Sequence, residues 1–278
     1  MIGPFLLARL ASEELAVQAL SRKKREPIEE KGAIDWQQVN LSEPGPWRAP
    51  AGSCVISLAP LWVLEGALDS IKDCRQIIAF SSTSVETKAG SDDPHERRLV
   101  ARLRRGEGTL TRFCEAVGIP WTLLRPTLIY GAGRDQNISA IAKVYGKLRF
   151  FPLAGAANGL RQPVHAEDLA LAALAAYGNE AAYNRTFNLA GGETLRYREM
   201  VTRVAQAMGE APRQIHVPTW FLSAVLAIGA RVGASSYSPG LAQRMNEDLV
   251  FDDQDARRIL NHRPRPFQPE LPEALMRC

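Results

Sequence analysis

Cysteine and histidine are scarce in this chain, four of each among 278 residues, and neither type is grouped. Cys54, Cys74, Cys114 and Cys278 show no C-x-x-C spacing and sit mostly inside apolar stretches. That excludes a disulfide framework or thiolate metal site and predicts reduced, buried thiols in a reducing compartment. His95, His165, His216 and His262 are dispersed without H-x-x-x-H spacing, so no metal is expected. No basic segment followed by an apolar core opens the chain. The longest uncharged apolar run, residues 219–230, falls short of the roughly 20 residues that cross a bilayer. The expectation is a cytoplasmic protein with no transmembrane segment, in which that run forms a core or interface helix. Repeats and low-complexity tracts are lacking too.

Charge of one sign is also in short supply. The net charge is +4 with 23% charged residues, and the basic ones are scattered apart from Arg22-Lys23-Lys24-Arg25. Nothing in that balance demands a nucleic-acid groove, so no nucleic-acid partner is expected. Taken alone, the basic cluster reads equally as a solvated loop.

What the chain does have is a full-sized core, with 46% hydrophobic residues. Gly3-Pro4 ahead of Phe5, Leu6, Leu7 and Leu10 predicts an opening helix. Apolar runs at 16–20, 54–58, 76–80 and 121–124 read as strands. Helical patterns at 61–72 and 94–117 separate them, the second rich in arginine on its expected outer face. Continuous apolar strands alternating with helices predict an α/β fold with a parallel sheet covered on both faces and right-handed crossovers. After Tyr130-Gly131 the pattern shifts to a loop, a helix near 138–145 and a glycine-rich stretch at 153–159. Helices near 166–177, 196–208, 220–232 and 253–260 follow.

Four segments then carry a family resemblance: Phe80-Ser81-Ser82-Thr83-Ser84-Val85, Leu124-Arg125-Pro126-Thr127-Leu128-Ile129-Tyr130-Gly131, Arg161-Gln162-Pro163-Val164-His165-Ala166-Glu167-Asp168-Leu169-Ala170, and Phe187-Asn188-Leu189-Ala190-Gly191-Gly192-Glu193. In order and spacing they resemble the signatures of the NAD(P)-dependent epimerase/dehydratase family of extended short-chain dehydrogenases. The ending, with Val250-Phe251-Asp252, Arg265 and Phe267, is similar as well. The resemblance implies a Rossmann-like doubly wound parallel sheet with a small C-terminal substrate lobe. Residues 1–132, with 162–190 returning to them, would form the dinucleotide-binding domain. Residues 133–161 and 191–278 would form the substrate lobe.

The departure lies at the beginning. The family's G-x-x-G-x-x-G turn follows a first strand, whereas the match here starts at the last glycine, Gly3, which serves helix–strand packing rather than pyrophosphate approach. The first strand of a doubly wound sheet is central, so its loss would leave two internal edges unpaired. A truncated or mis-started chain is the expectation, with the runs at 16–20 and 54–58 facing each other unless they pair directly or another segment fills the slot.

The resemblance implies NADP as cofactor, with NAD as the alternative, because Arg22 and Lys23 stand where an NAD enzyme places an acid, and an arginine fork suits a 2′-phosphate. Asn40 matches the adenine contact. Ser57, Leu58 and Ala59 match the segment beneath the ribose and phosphates, although a plain strand exit reads equally well. Pro126 and Tyr130 would flank the nicotinamide. Ser82, with Thr83 beside it, matches the catalytic hydroxyl. Tyr-x-x-x-Lys is absent from the chain, which leaves Thr83, Lys88 or water as the acid. Asn137 and Arg161 would meet a nucleotide diphosphate, the other reading of Arg161 being an ion pair with Asp168 or Glu167. His165 and Asp168 read as fold-stabilising residues at a helix start. The function implied is hydride transfer on a nucleotide-sugar-like metabolite by an epimerase, dehydratase or reductase, in a possible homodimer. The alternative is a non-catalytic NADPH-binding sensor or assembly subunit.

Overall fold

The computed structural model describes residues 1–13, 15–24, 34–43, 45–87, 90, 93–131, 133, 135, 137–231, 240–272 and 275. Helix α1 (Ile2–Ser12) leads into the parallel pair β1 (Val17–Ser21) and β2 (Ile34–Gln38). Strand β3 (Cys54–Ser57) is followed by α2 (Leu61–Leu64) and a 3-10 turn, Glu65–Ile71. Next come β4 (Gln76–Phe80), α3 (Ser84–Thr87), α4 (Pro94–Val117) and β5 (Trp121–Pro126). The C-terminal half contains β6 (Ile129–Tyr130), α5 (Ile138–Leu148), β7 (Phe151–Ala154), β8 (Leu160–Arg161), β9 (Val164–His165) and α6 (Ala166–Ala176). It closes with β10 (Arg185–Leu189), β11 (Leu195–Arg196), α7 (Tyr197–Ala207), β12 (Gln214–Val217), α8 (Thr219–Arg231), α9 (Gly240–Arg244) and α10 (Gln254–Ile259).

The main sheet runs β10-β5-β4-β3, with every pair parallel. Strand β4 is buried at all five positions, and its side chains alternate between the two faces. Ile78 and Phe80 join Leu124, Phe187, Leu169 and Ala173 under α1 and α6. Ile77 and Ala79 join Leu61, Leu64, Leu110 and Cys114 under α2 and α4. Each fully buried Leu or Ile contributes about 1.5–3 kcal/mol, so these two layers hold the sheet. Close approach of α2 to α4 needs Gly106, where a Cβ would stand 2.6 Å from that of Leu61.

Among the described residues, β1 and β3 pair neither with each other nor with a third strand between them. Neither way of closing the slot expected from the sequence is therefore seen. The residues of β3 before Ser57 are only half-buried, unlike those of β4. A hydrogen bond of 2.9 Å from Trp47 Nε1 to Gln18 Oε1 ties β1 to the layer beneath α2, where Trp47 packs with Val55.

A third apolar cluster gathers Tyr130, Tyr145, Phe151, Leu153, Met200, Val204, Met245 and Phe267. Strand β7, which pairs in parallel with β12, ends two residues into the glycine-rich stretch, and residues 155–159 form turn and loop. The run at 219–230 is helix α8, with Leu222 and Leu226 turned inward and Trp220, Phe221, Val225 and Ile228 exposed. No helix among the described residues is long and apolar enough to cross a membrane.

Candidate functional site

The carboxyl end of β3 meets the start of α1. A side-chain carbon on Gly3 would lie 3.6 Å from Leu58 Cδ1, so the first turn of α1 rests on the exit of β3. That turn has no side-chain cap and no acidic residue, which leaves its positive end without a carboxylate of the helix's own. Ser57 Oγ and Ser81 Oγ, at the adjacent ends of β3 and β4, are buried without a hydrogen-bond partner among the described residues, and the strand alternation puts them with Ala79 on the α2 and α4 side of the sheet. A buried hydroxyl left unpaired costs about 1–3 kcal/mol. The N–H groups of the first turn of α1 suit an anionic ligand at the exit of β3. A dinucleotide's phosphates fit that description.

Beyond β1, Arg22 and Lys23 are both exposed. Their backbone is fixed by Gln38 Nε2 donating to the Arg22 carbonyl (3.2 Å) and by Lys23 N–H donating to Ser21 Oγ (3.2 Å). Asn40 is turned into its own loop, its Nδ2 bonding Glu43 at 2.6 Å and its Oδ1 accepting from Ser42 N–H at 3.2 Å. Leu58 is exposed and Ala59 half-buried.

The two candidate catalytic hydroxyls differ in kind. Thr83 is buried, and both its N–H and its Oγ1 donate to the Pro126 carbonyl at 3.2 Å. This hydroxyl clamps β5 to the end of β4. In this structure it is engaged as a donor to Pro126. Ser82 is half-buried, accepts from Ser84 N–H at 3.2 Å and donates to Ser84 Oγ at 3.1 Å. Lys88 lies outside the described residues.

Tyr130 has no exposed surface. Its ring meets His165 and Phe267 edge-on, its OH donates to the Pro266 carbonyl at 3.3 Å, and burial raises its pKa. Gly131 follows with φ +105°, and a Cβ there would fall 2.5 Å from His165 Nε2. His165 Nδ1 accepts from Glu167 N–H at 3.2 Å, capping α6. Burial, then Arg265, lowers its pKa.

Arg161 is buried and does not pair with Asp168 or Glu167, which corrects the ion-pair reading. Its guanidinium donates to the carbonyls of Leu160 and Glu247 at 2.7 Å each and to that of Arg244. Burial lowers its pKa. The carboxylates expected for it are taken by Arg265, which bonds Asp168 and Glu167. Asn137 is exposed and makes no side-chain cap, since Asp135 caps α5 through Asn137 N–H (3.1 Å) and Ser139 N–H (2.8 Å).

Sequence reasoning missed a part-buried ion pair in which Arg125 grips Glu107 at 2.6 and 2.9 Å and reaches Glu86 at 3.2 Å. The three line a cavity of about 510 Å³ with Val85, Arg104 and Thr186. Its charges are balanced, and it faces α4 rather than the strand ends. Only the arginine of Leu124-Arg125-Pro126 signalled it in advance.

No family model matches the chain. A chloroplast stem-loop binding protein of 41 kDa from Arabidopsis thaliana is 28% identical over 160 residues, 55% of this chain. The chain thus spans less than half, 42%, of that relative's length. Among solved structures, UDP-glucuronic acid 4-epimerase from Bacillus cereus superposes with a TM-score of 0.70 at 13% identity, covering 100% of this chain and 93% of that one. UDP-glucose 4-epimerase from Thermotoga maritima gives 0.65 at 14%, covering 95% and 91%. Together with the parallel sheet and the helix resting on the exit of β3, these likenesses show that the chain has the Rossmann-like fold of these nucleotide-sugar epimerases.

Proposed function

We propose that the chain binds a nicotinamide dinucleotide at the carboxyl ends of β3 and β4 and serves hydride-transfer chemistry on a nucleotide-sugar-like metabolite, as an epimerase-, dehydratase- or reductase-like protein. The observation that supports this is the first turn of α1, with no acidic residue of its own, resting on the exit of β3 at Leu58, where the neighbouring strand ends carry the Ser57 and Ser81 hydroxyls. The Bacillus cereus epimerase of the same fold was solved with NAD and a UDP-sugar analogue. In this chain Arg22 and Lys23, exposed beyond β1, favour a 2′-phosphate and hence NADP. Bound nicotinamide supplies the hydride donor or acceptor. Ser82 polarises the substrate carbonyl once its hydroxyl turns from Ser84, while Thr83 holds the strand ends in register. Arg161 positions the segment around residues 244–247, and Asn137 stands exposed at the start of α5 for the substrate's phosphates. Residues 1–132 with 162–190 form the cofactor domain in this reading, and the remainder forms the substrate lobe.

The commitment of Thr83 to Pro126, together with the absence of Tyr-x-x-x-Lys, favours a second reading in which the chain binds NADPH without turnover. Native mass spectrometry of the purified protein, followed by an assay of NADPH oxidation with 4-keto nucleotide sugars, separates the two. Retained dinucleotide with turnover lost in Ser82→Ala supports the enzyme. Retained dinucleotide without turnover supports the binding module. Absence of dinucleotide affinity contradicts both.

A further inference from the structure

From Arg97 to Arg112 helix α4 segregates its charges by face, and one exposed acid, Glu115, follows on the same side in its last turn. Between residues 97 and 112 its exposed positions are Arg97, Arg98, Ala101, Arg102, Arg104, Arg105 and Arg112, with no acid among them. Its two buried acids point the other way, Glu96 into an ion pair with Arg244 and Glu107 into one with Arg125. At 3.6 residues per turn the six arginines share an arc of about 160°, and Arg98, Arg102, Arg105 and Arg112 form a row about 21 Å long. Such a face repels itself, since like charges stand three and four residues apart. Arg97 and Arg98 also sit near the helix start, where the macrodipole disfavours cations. A face shaped only for solvation would mix the signs.

From this arrangement we infer that the α4 face is a docking surface for the phosphate backbone of a nucleic acid. Charge complementarity identifies the partner. Guanidinium groups match phosphate oxygens in bidentate geometry, and a row at helical spacing follows a line of phosphates. The face lacks the exposed large apolar side chains between Arg97 and Arg112 that insertion into a lipid surface uses. Flanking contacts orient the row without covering it. The Arg102 guanidinium lies 4.2 Å over the Trp62 ring, and Arg105, 78% exposed, stands 3.8 Å from Glu65. The expectation of no nucleic-acid partner weighed charge over the whole sequence, whereas six of the basic residues share one face of the helix already expected to carry arginine outward.

The test is fluorescence anisotropy of the intact chain with labelled RNA hairpin, single-stranded RNA and duplex DNA of equal length, from 50 to 200 mM salt. Binding should follow a slope of log affinity against log salt of about −3 to −4 for duplex, as four phosphate contacts require. The R98Q/R102Q/R105Q/R112Q variant should lose at least about tenfold affinity and most of that slope. The matching all-lysine variant should restore the slope, and circular dichroism melts should confirm that both variants fold. The three probes distinguish RNA from DNA. No binding at 50 mM salt, undiminished binding by the glutamine variant, or stronger binding to polyglutamate or anionic vesicles than to any nucleic acid would overturn the inference.

Discussion

Arg265 closes on Asp168 through two hydrogen bonds of 2.9 Å, one from its backbone N–H and one from Nε. Its Nη2 reaches Glu167 at 2.9 Å, and Arg9 of α1 reaches the other oxygen of Glu167 at 2.8 Å. The first turn of α6 therefore ties the opening helix to the C-terminal segment. Asp168 is buried while Arg265 is partly open, so Asp168→Ala should cost about 2 kcal/mol, between the values for exposed and buried pairs. A urea unfolding series checks this, and a loss below about 0.5 kcal/mol would show the pair to be idle.

The Arg9 and Arg265 guanidiniums hold the Glu167 carboxyl below its usual pKa. A group depressed in the folded state stabilises fully above its unfolded value, about 4.3, and loses that contribution as pH falls through the folded value. The difference in Tm between wild type and Glu167→Gln should hold above about pH 5 and shrink below pH 4. A difference that grows on acidification would reverse the sign of the argument.

Histidine adds a second acid sensitivity at higher pH. Burial lowers the pKa of His165 and of His262, whose Nε2 lies 2.9 Å from the Ala190 carbonyl. The unfolded chain takes up these protons near pH 6.5, so stability is full above that value and falls as pH drops toward the lowered folded values. Urea midpoints at pH 7.5 and 5.5 should differ in wild type and differ less in His165→Asn/His262→Asn. An unchanged difference would place the acid sensitivity elsewhere.

Substitution also separates the two candidate hydroxyls. Thr83→Val removes a buried hydrogen bond to Pro126 and should cost about 1 kcal/mol of stability. Ser82→Ala should leave the melt nearly unchanged while reducing any turnover by at least about tenfold. The opposite pattern would exchange their roles.

Much of the fold was legible because burial on both faces writes a strand as a continuous apolar run, as in Gln76–Phe80, and α4 shows a helical period. Strands of two residues, such as Val164–His165 and Leu195–Arg196, carry no periodicity, and the four residues of β7, Phe151–Ala154, are too few to show one. The site was legible only in part. Ser57, Ser82 and Gly3 could be placed by local pattern. The partners of Arg161 and Arg265 could not, since each bond spans most of a hundred residues. A guanidinium satisfied by carbonyls leaves no charge pattern in the sequence at all.

The central claim is dinucleotide binding with a 2′-phosphate preference set by Arg22, and calorimetric titration of NADPH and NADH into wild type and Arg22→Ala tests it most directly. The account predicts that NADPH binds more tightly than NADH to the wild type. It also predicts that Arg22→Ala removes about 1–3 kcal/mol of NADPH affinity while leaving NADH little changed. Equal losses for both cofactors, or no heat from either, would contradict it.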